Sequence, residues 1–575
     1  MLPVFDPQDA SCKSPFGAAQ CGAEVTFTLR DETYYACELL VHREFAGADE
    51  AIPLPPAEGG FSGVYTAPAE PELCWYAFRF TRGDGSTVCL GRNGWCGQDA
   101  LARWQLTVYE YTPTPAWFGE GVTYQIFPDR FRRTSVPDVA GMVGRRWVHD
   151  DWDDQPVFLP DENGQITNRD FFGGSLAGIT EKLDYLKSLS VSTIYLNPIF
   201  EADSNHRYNT ADYRAVDPML GTEEDFRTLC REAHDRGIRI ILDGVFNHTG
   251  SNSRYFNADG FYPEPGAAQS KDSPYFPWYS FHPWPTEYDA WWGIHTLPAV
   301  NEDAPDYRRF IISDEDSVVR RWLRLGADGW RLDVADEIPH SFWKTFRRRL
   351  RALKPDVFLV GEIWNQAAVW LMGDEFDGVT NYKYRGTMLS LAAGESDADA
   401  FWRRTHANLR LYKTTAWPCL VNLLGSHDTA RLFTQVPDKR MAALALLVTL
   451  CMEGMPLLYY GDEVGMEGGE DPDNRRAMQW DADPCLLDEM RAVGQLRRRT
   501  PVLRTGTTVP LAGDGSLLRF LRRDDSGSVC VTANFGQEAR VLHTGEPPLY
   551  SLRAQAGGSG RVRLEAGGLY IVRRE

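Results

Sequence analysis

Gly329-Trp330-Arg331-Leu332-Asp333-Val334-Ala335-Asp336-Glu337 is a short, mostly apolar segment that follows a Gly-Ala-Asp turn and ends in acid. Read as a strand, it sends residues i and i+2 to one face, so Arg331 and Asp333 project together. A carboxylate beside a guanidinium stays ionised at neutral pH, which a carboxylate nucleophile needs. An isolated R-x-D is more often a structural pair, so the weight lies in repetition. Val357–Trp364 is an apolar run ending in Glu362, Leu420–Asp428 one ending in His427 and Asp428, and Ile238–His248 one carrying Asp243, Asn247 and His248. Short apolar runs between turn residues read as strands buried on both faces. Polar residues gathered at the C-terminal ends of several such strands are how a site is built on a (β/α)8 TIM barrel.

Four motifs, DGVFNH (243–248), GWRLDVADE (329–337), GEIW (361–364) and NLLGSHD (422–428), resemble those of the α-amylase family, glycoside hydrolase family 13, in the family's order. The likeness runs from about Trp117 to the C-terminus. Residues 1–112 resemble the extra β-domain of the cyclomaltodextrinase, neopullulanase and maltogenic amylase subgroup.

The 575 residues are too many for one compact unit, so two to four domains are expected. The net charge of −20 argues against nucleic acid or an anionic membrane as partner. The 18 Trp suit a glycan-binding protein, since aromatic faces stack on sugar rings, although core packing could use them too. Six of the 11 Cys precede residue 100, and no C-x-x-C occurs; free thiols in a reducing compartment are expected. No basic-apolar leader and no apolar run approaching a membrane span is visible, which points to the cytoplasm.

Residues 1–112 read as an N-terminal β-sandwich of immunoglobulin type, with strands near 24–30, 33–39, 74–80 and 105–110. A dimerisation or glycan-binding role, and hence a homodimer, follows from resemblance alone. The barrel is placed at 117–500, beginning near Gly121. Helices are expected at 178–189, 223–236, 315–325, 340–353, 439–453 and 486–499. Residues 249–300 are too long for an ordinary βα loop and read as an inserted domain B. A C-terminal all-β domain is placed at 505–575. The stretch 297–301 matches the subgroup's own signature only partly.

Glycoside hydrolysis needs two carboxyl groups across the scissile bond. The resemblance makes Asp333 the nucleophile, Glu362 the acid/base and Asp428 the transition-state stabiliser. An apolar setting of Val360, Ile363 and Trp364 is expected to keep the proton on Glu362. The same likeness assigns Arg331, His248, His427, His206, Tyr208, Trp364 and Asp243 to substrate binding, with Tyr208 stacked under the reacting ring and Asp243 holding Arg331 or the barrel mouth in shape. Asn247, a calcium ligand elsewhere in the family, is read as structural here. No cofactor is required by this chemistry. The calcium pattern usual near 132–138 is missing; if Ca2+ binds, Asp150, Asp151 and Asp153 are the candidate ligands, although a solvated acidic loop accounts for them as well. The histidines lack zinc spacing. The implied function is a retaining endo-type α-1,4-glucan hydrolase acting on maltodextrins, cyclodextrins, pullulan or starch, with transglycosylation as a side activity. The alternatives are an exo-acting α-glucosidase and, disfavoured by the full set of acids, a non-catalytic glycan-binding barrel.

Overall fold

The computed structural model describes residues 4–574 apart from 163, 165, 483, 484, 558 and 559. The chain divides into two compact units. The first holds the chain up to Thr114 together with Asn365–Asp377 and Trp402–Trp417; the second holds Pro115–Trp364, Gly378–Phe401 and everything from Pro418 on.

In the first unit, strands Lys13–Ser14, Glu24–Leu29, Pro56–Ala57 and Gly60–Thr66 form one sheet. Ala36–Arg43, Ala48–Leu54, Glu72–Thr81, Thr87–Gly91, Gly94–Cys96 and Trp104–Tyr109 belong to another, joined by Ala19–Gln20 in the parallel sense. The alternation in Glu24–Leu29 buries Val25, Phe27 and Leu29, which share a core with Leu39, Phe78 and Val108 of the second sheet. The strand expected at 33–39 begins instead at Ala36. The Asp31 carboxylate accepts from Thr33 N–H at 2.8 Å and from Thr33 Oγ1 at 2.5 Å. This side-chain turn holds 31–33 out of the ladder. The six N-terminal cysteines carry free thiols.

The second unit contains a parallel barrel. Its strands are β1 (Val122–Ile126), β2 (Val191–Leu196), β3 (Arg239–Gly244), β4 (Gly329–Leu332), β5 (Phe358–Gly361), β6 (Gly378–Val379), β7 (Val421–Leu423) and β8 (Met455–Tyr459). Each pairs with its neighbours in the order 6-5-4-3-2-1-8-7, and a parallel bridge from Thr380 to Val421 closes the ring between β6 and β7. Tyr195, Ile241, Phe358, Val360, Val421, Leu423, Met455 and Leu457 pack into one buried cluster, so the barrel is filled rather than hollow. β6 is only two residues long. A Cβ on Gly378 would lie 2.0 Å from the Cys419 carbonyl oxygen. The strand can approach its neighbour here only as glycine.

The helix expected at 178–189 is two, Leu176–Glu181 and Leu183–Ser188: the Ser175 hydroxyl accepts Gly178 N–H and starts the first one earlier, and Lys182, at φ −101 and ψ 5, separates them. Glu223–Asp235 opens on a reciprocal capping box between Thr222 and Asp225. Val318–Leu325, His340–Leu353, Lys439–Thr449 and Cys485–Arg499 fill the other expected positions. An antiparallel sheet from Thr507 to Arg574 follows. Its fully buried Arg522 donates to the Cys451 carbonyl at 2.8 Å and to the Leu503 carbonyl at 2.9 Å. These bonds satisfy carbonyls at the helix ends beneath the barrel and tie the sheet to them. Among the described residues no helix is long and apolar enough to cross a membrane.

Candidate active site

The parallel register sets Asp243 of β3 against Arg331 of β4, and Leu332 against Gly361 of β5. The acids that end or follow these strands therefore meet at one mouth. Arg331 lies at its centre, 3% exposed. Its Nη1 donates to Asp243 Oδ1 at 2.9 Å and to Asp333 Oδ1 at 2.6 Å, and its Nη2 lies 2.7 Å from Glu362 Oε1. A planar guanidinium presents its N–H donors in a fixed fork and can hold several carboxylates in defined directions at once.

Two expectations change here. Glu362 does not sit in a purely apolar setting: besides Arg331, its Oε2 accepts Val334 N–H at 3.0 Å and its Oε1 accepts the Trp364 indole N–H at 3.3 Å. Nor does Arg331 alone govern Asp333. Burial pushes the Asp333 carboxyl well above its usual range against the pull of Arg331, and the Glu362 and Asp243 carboxylates push the same way. Three carboxylates thus face one guanidinium. The Asp243 oxygens already accept from Arg331, from Tyr195 at 2.5 Å and from Tyr208 at 2.7 Å. Burial pushes the Asp243 carboxyl upward as well, and Arg331 with the two tyrosine hydroxyls opposes that shift.

Val334 occupies the left-handed region, φ 37 and ψ 48. That region is rare for a β-branched residue. This conformation turns its N–H onto Glu362 directly after Asp333, so backbone strain is used to fix the relative placement of the two acids.

A second network orders His427. Gln125 of β1 donates from Nε2 to His427 Nδ1 (2.8 Å) and to Asn197 Oδ1 (3.0 Å). Asn197 Nδ2 donates to the Tyr208 hydroxyl (2.9 Å), and Tyr208 donates to Asp243. With Nδ1 accepting, the His427 proton sits on Nε2. That nitrogen lies 2.6 Å from the Tyr208 oxygen and 3.1 Å from Asp428 Oδ1. Burial, with Arg475 and Arg331 nearby, holds His427 well below its usual pKa, so it is a neutral, fixed tautomer. Burial raises Asp428 to about 7, helped by Glu362 and opposed by Arg475. Arg475 Nη2 lies 3.7 Å from Asp428 Oδ1.

His248 is buried beside Trp291, ring centroids 5.2 Å apart, and neither ring nitrogen has a partner among the described residues. Burial lowers it to about 4 against the pull of the Tyr208 backbone, so at neutral pH the ring is uncharged, with one nitrogen a donor and the other an acceptor. His206 Nδ1 accepts Tyr208 N–H at 3.1 Å, which leaves Nε2–H for the cleft. Tyr208 is half-buried and stacks on His427, rings parallel at 5.2 Å. Trp364 lies flat on Tyr382 at 3.7 Å and is 43% exposed.

Gln125, Tyr195, Asn197, Tyr382 and Arg475 escape the sequence reading. The first three lie in or just beyond β1 and β2, inside segments that read simply as buried strand. The N-P after strand two could have flagged Asn197, but nothing marks Gln125. Asn247, read as structural, has neither side-chain amide atom bonded among the described residues, although its backbone carbonyl accepts Val300 N–H.

The acidic loop does not fit a cation. Asp150, Asp151 and Asp153 are exposed, and Asp151 accepts Asp153 N–H at 3.1 Å in a local turn. Arg133 donates to the His149 and Asp150 carbonyls (2.8 and 3.0 Å), placing positive charge where a metal would need oxygen. Among the described residues no three His, Cys, Asp or Glu side chains group as a metal requires.

Residues 125–487 match the family described as "Alpha amylase, catalytic domain". An amylopullulanase of Thermoanaerobacterium saccharolyticum is 34% identical over 93% of this chain; the chain spans about half that relative's length, 48%. A cyclomaltodextrinase of Geobacillus thermopakistaniensis (strain MAS1) is 38% identical over 74% of this chain and 71% of its own. The solved type III pullulan hydrolase from Thermococcus kodakarensis superposes with a TM-score of 0.72 at 28% identity, covering 99% of this chain and all of that one. Strand-end acids on a closed eight-stranded barrel, the order of the motifs and the extent of these matches agree: the chain belongs to the α-amylase family, glycoside hydrolase family 13.

Proposed function

We propose that the protein is a retaining α-1,4-glucan hydrolase of endo type, acting on maltodextrins, cyclodextrins, pullulan or starch, with transglycosylation as a side reaction. The observation that carries this reading is the Asp333–Arg331–Glu362 triad: two carboxyl groups held on one shared guanidinium at the barrel mouth. Glu362 donates a proton to the glycosidic oxygen while Asp333 attacks the anomeric carbon. The C–O bond to the leaving sugar breaks and a glycosyl ester on Asp333 forms. Glu362, now the base, takes a proton from water, which attacks the same carbon and releases Asp333. Two displacements retain the α configuration. Asp428, His427, His248 and His206 present polar groups to the ring hydroxyls. Tyr208 lies beneath, and Trp364 walls the cleft. The names of the cyclomaltodextrinase and pullulan hydrolase relatives support this substrate class.

A cytoplasmic site of action and a homodimer formed through the N-terminal β-domain belong to the same proposal. The sequence motifs and the subgroup likeness support them.

Product profiles on γ-cyclodextrin, pullulan and soluble starch test the substrate reading. Cyclodextrin opening, with panose from pullulan, is expected. Release of glucose alone from chain ends, with cyclodextrin untouched, would replace the endo reading by an exo-glucosidase.

A further inference from the structure

A pair of indoles stands on the cleft rim outside the acid cluster. Trp291 and Trp292 stack with centroids 4.9 Å apart and planes 20° from parallel. Trp291 also stacks on His248, so the pair continues outward from a residue of the site. Trp292 is 76% exposed and holds a left-handed backbone, φ 49 and ψ 26. An exposed tryptophan in a conformation that L-residues avoid is costly on both counts, and such strain persists where the surroundings impose it. They do so here: Glu337 Oε2 accepts the Trp291 indole N–H at 2.8 Å and Oε1 accepts the Trp292 N–H at 3.0 Å. One carboxylate fixes both rings.

The clamp is built out from the acid/base rather than from Asp428. Glu337 ends the turn that starts at Asp333. Val334 N–H bonds Glu362 Oε2, and Ala335 N–H bonds the Glu362 carbonyl at 3.2 Å. Partial burial, with the nearby Glu337 and Glu362 carboxylates, pushes the Asp336 carboxyl upward. A group that protonates the leaving oxygen faces the leaving sugar, so a platform continuous with it lies on the leaving-group side.

We infer that Trp291 and Trp292, held by Glu337, form a stacking platform for the glucose units on the leaving-group side of the scissile bond. Glu337 is a positioning residue: it acts through the two indoles that it holds. This rests on the α-glucan reading above. The platform favours substrates and acceptors with several glucose units beyond the cleaved bond.

The test compares maltohexaose, which needs that side, with α-maltosyl fluoride, whose leaving group is fluoride and needs none of it. For Trp292→Ala the ratio of kcat/KM on maltohexaose to that on α-maltosyl fluoride should fall by about five- to tenfold, the size of one lost aromatic stack. The change should lie in KM. Trp292→Phe, which keeps a ring but no N–H, should recover part of the ratio. Glu337→Ala should lower it, and Glu337→Gln should fall between, since one amide oxygen accepts one indole N–H well. Equal losses on both substrates in Trp292→Ala and Trp292→Phe, or an unchanged ratio in all four variants, would overturn the platform. Wild-type protein that turns over neither substrate would overturn the hydrolase reading itself, and the platform with it.

Discussion

Replacing Arg331 by Lys keeps the charge and removes the fork. In the native site Nη1 and Nη2 together reach Asp243, Asp333 and Glu362 at 2.9, 2.6 and 2.7 Å. A single ammonium cannot hold three carboxyl groups in these directions. At least one charge-assisted contact is lost, about 1.5–3 kcal/mol. If that loss falls on the placement of the acids, kcat drops by about 10- to 150-fold. The charge also recedes from Asp333. Moving a unit charge from about 4 to about 6 Å at an effective dielectric near 20 removes about 1.4 kcal/mol of attraction, or about one pKa unit. The direction follows from the role: the nucleophile must be ionised, activity is lost as pH falls through its pKa, and a higher pKa carries the acid limb to higher pH. Profiles of kcat/KM against pH on γ-cyclodextrin for wild type and Arg331→Lys read both effects. An acid limb in the wild-type place with kcat within about twofold would refute the claim that this guanidinium places the pair and pulls the Asp333 carboxyl downward.

Asp333→Asn should abolish turnover while calorimetry still shows γ-cyclodextrin binding near the wild-type level, because a neutral amide cannot attack; turnover retained in that variant would remove Asp333 from the mechanism. Gln125→Leu strands the His427 Nδ1 acceptor and frees its tautomer, costing about 1–3 kcal/mol, and should lower kcat/KM by about 5- to 150-fold with little loss of thermal stability. Asp328, fully buried at the foot of β4, meets His234 Nε2 (2.7 Å), Arg239 Nη1 (3.0 Å), Ile240 N–H (2.9 Å) and Lys354 Nζ (3.3 Å). Burial alone would raise this carboxyl, but the His234 contact and the other donors outweigh it and hold it below its usual range. A depressed folded-state pKa adds stability above the unfolded value of about 3.9, lost as pH falls through the folded pKa. Asp328→Asn should therefore lower Tm at pH 7, with the difference closing toward pH 3; a Tm gap independent of pH would show that the carboxylate charge is not what counts.

The parts of the site legible in sequence are those where chemistry shares a strand with a hydrophobic period. Arg331 lies on β4 and Asp333, two positions on, directly follows that strand, and Glu362 ends an apolar run, so position alone places them. The network behind them is not legible. Gln125, Tyr195 and Asn197 come from other strands, and their meeting with His427 and Asp243 depends on ring closure and shear, which no local pattern carries. The same holds for Glu337, whose partners lie about forty-five positions upstream. Charge is misread for a related reason: R-x-D shows one guanidinium and one carboxylate, whereas burial in the barrel mouth, with Glu362 and Asp243 entering from neighbouring strands, reverses the direction of the Asp333 shift. β6 is too short for any periodicity. The grouping of Asn365–Asp377 and Trp402–Trp417 with the N-terminal sheets has no signal in composition.

The central claim is a double displacement through Asp333, and the anomer of the first-formed product tests it most directly. Proton NMR taken within the first minutes of maltohexaose hydrolysis, before mutarotation, should show the new reducing end as the α-anomer, with β appearing only later. A β-anomer at the earliest times would mean that water attacks directly, and would contradict Asp333 as nucleophile whatever its distance from Arg331.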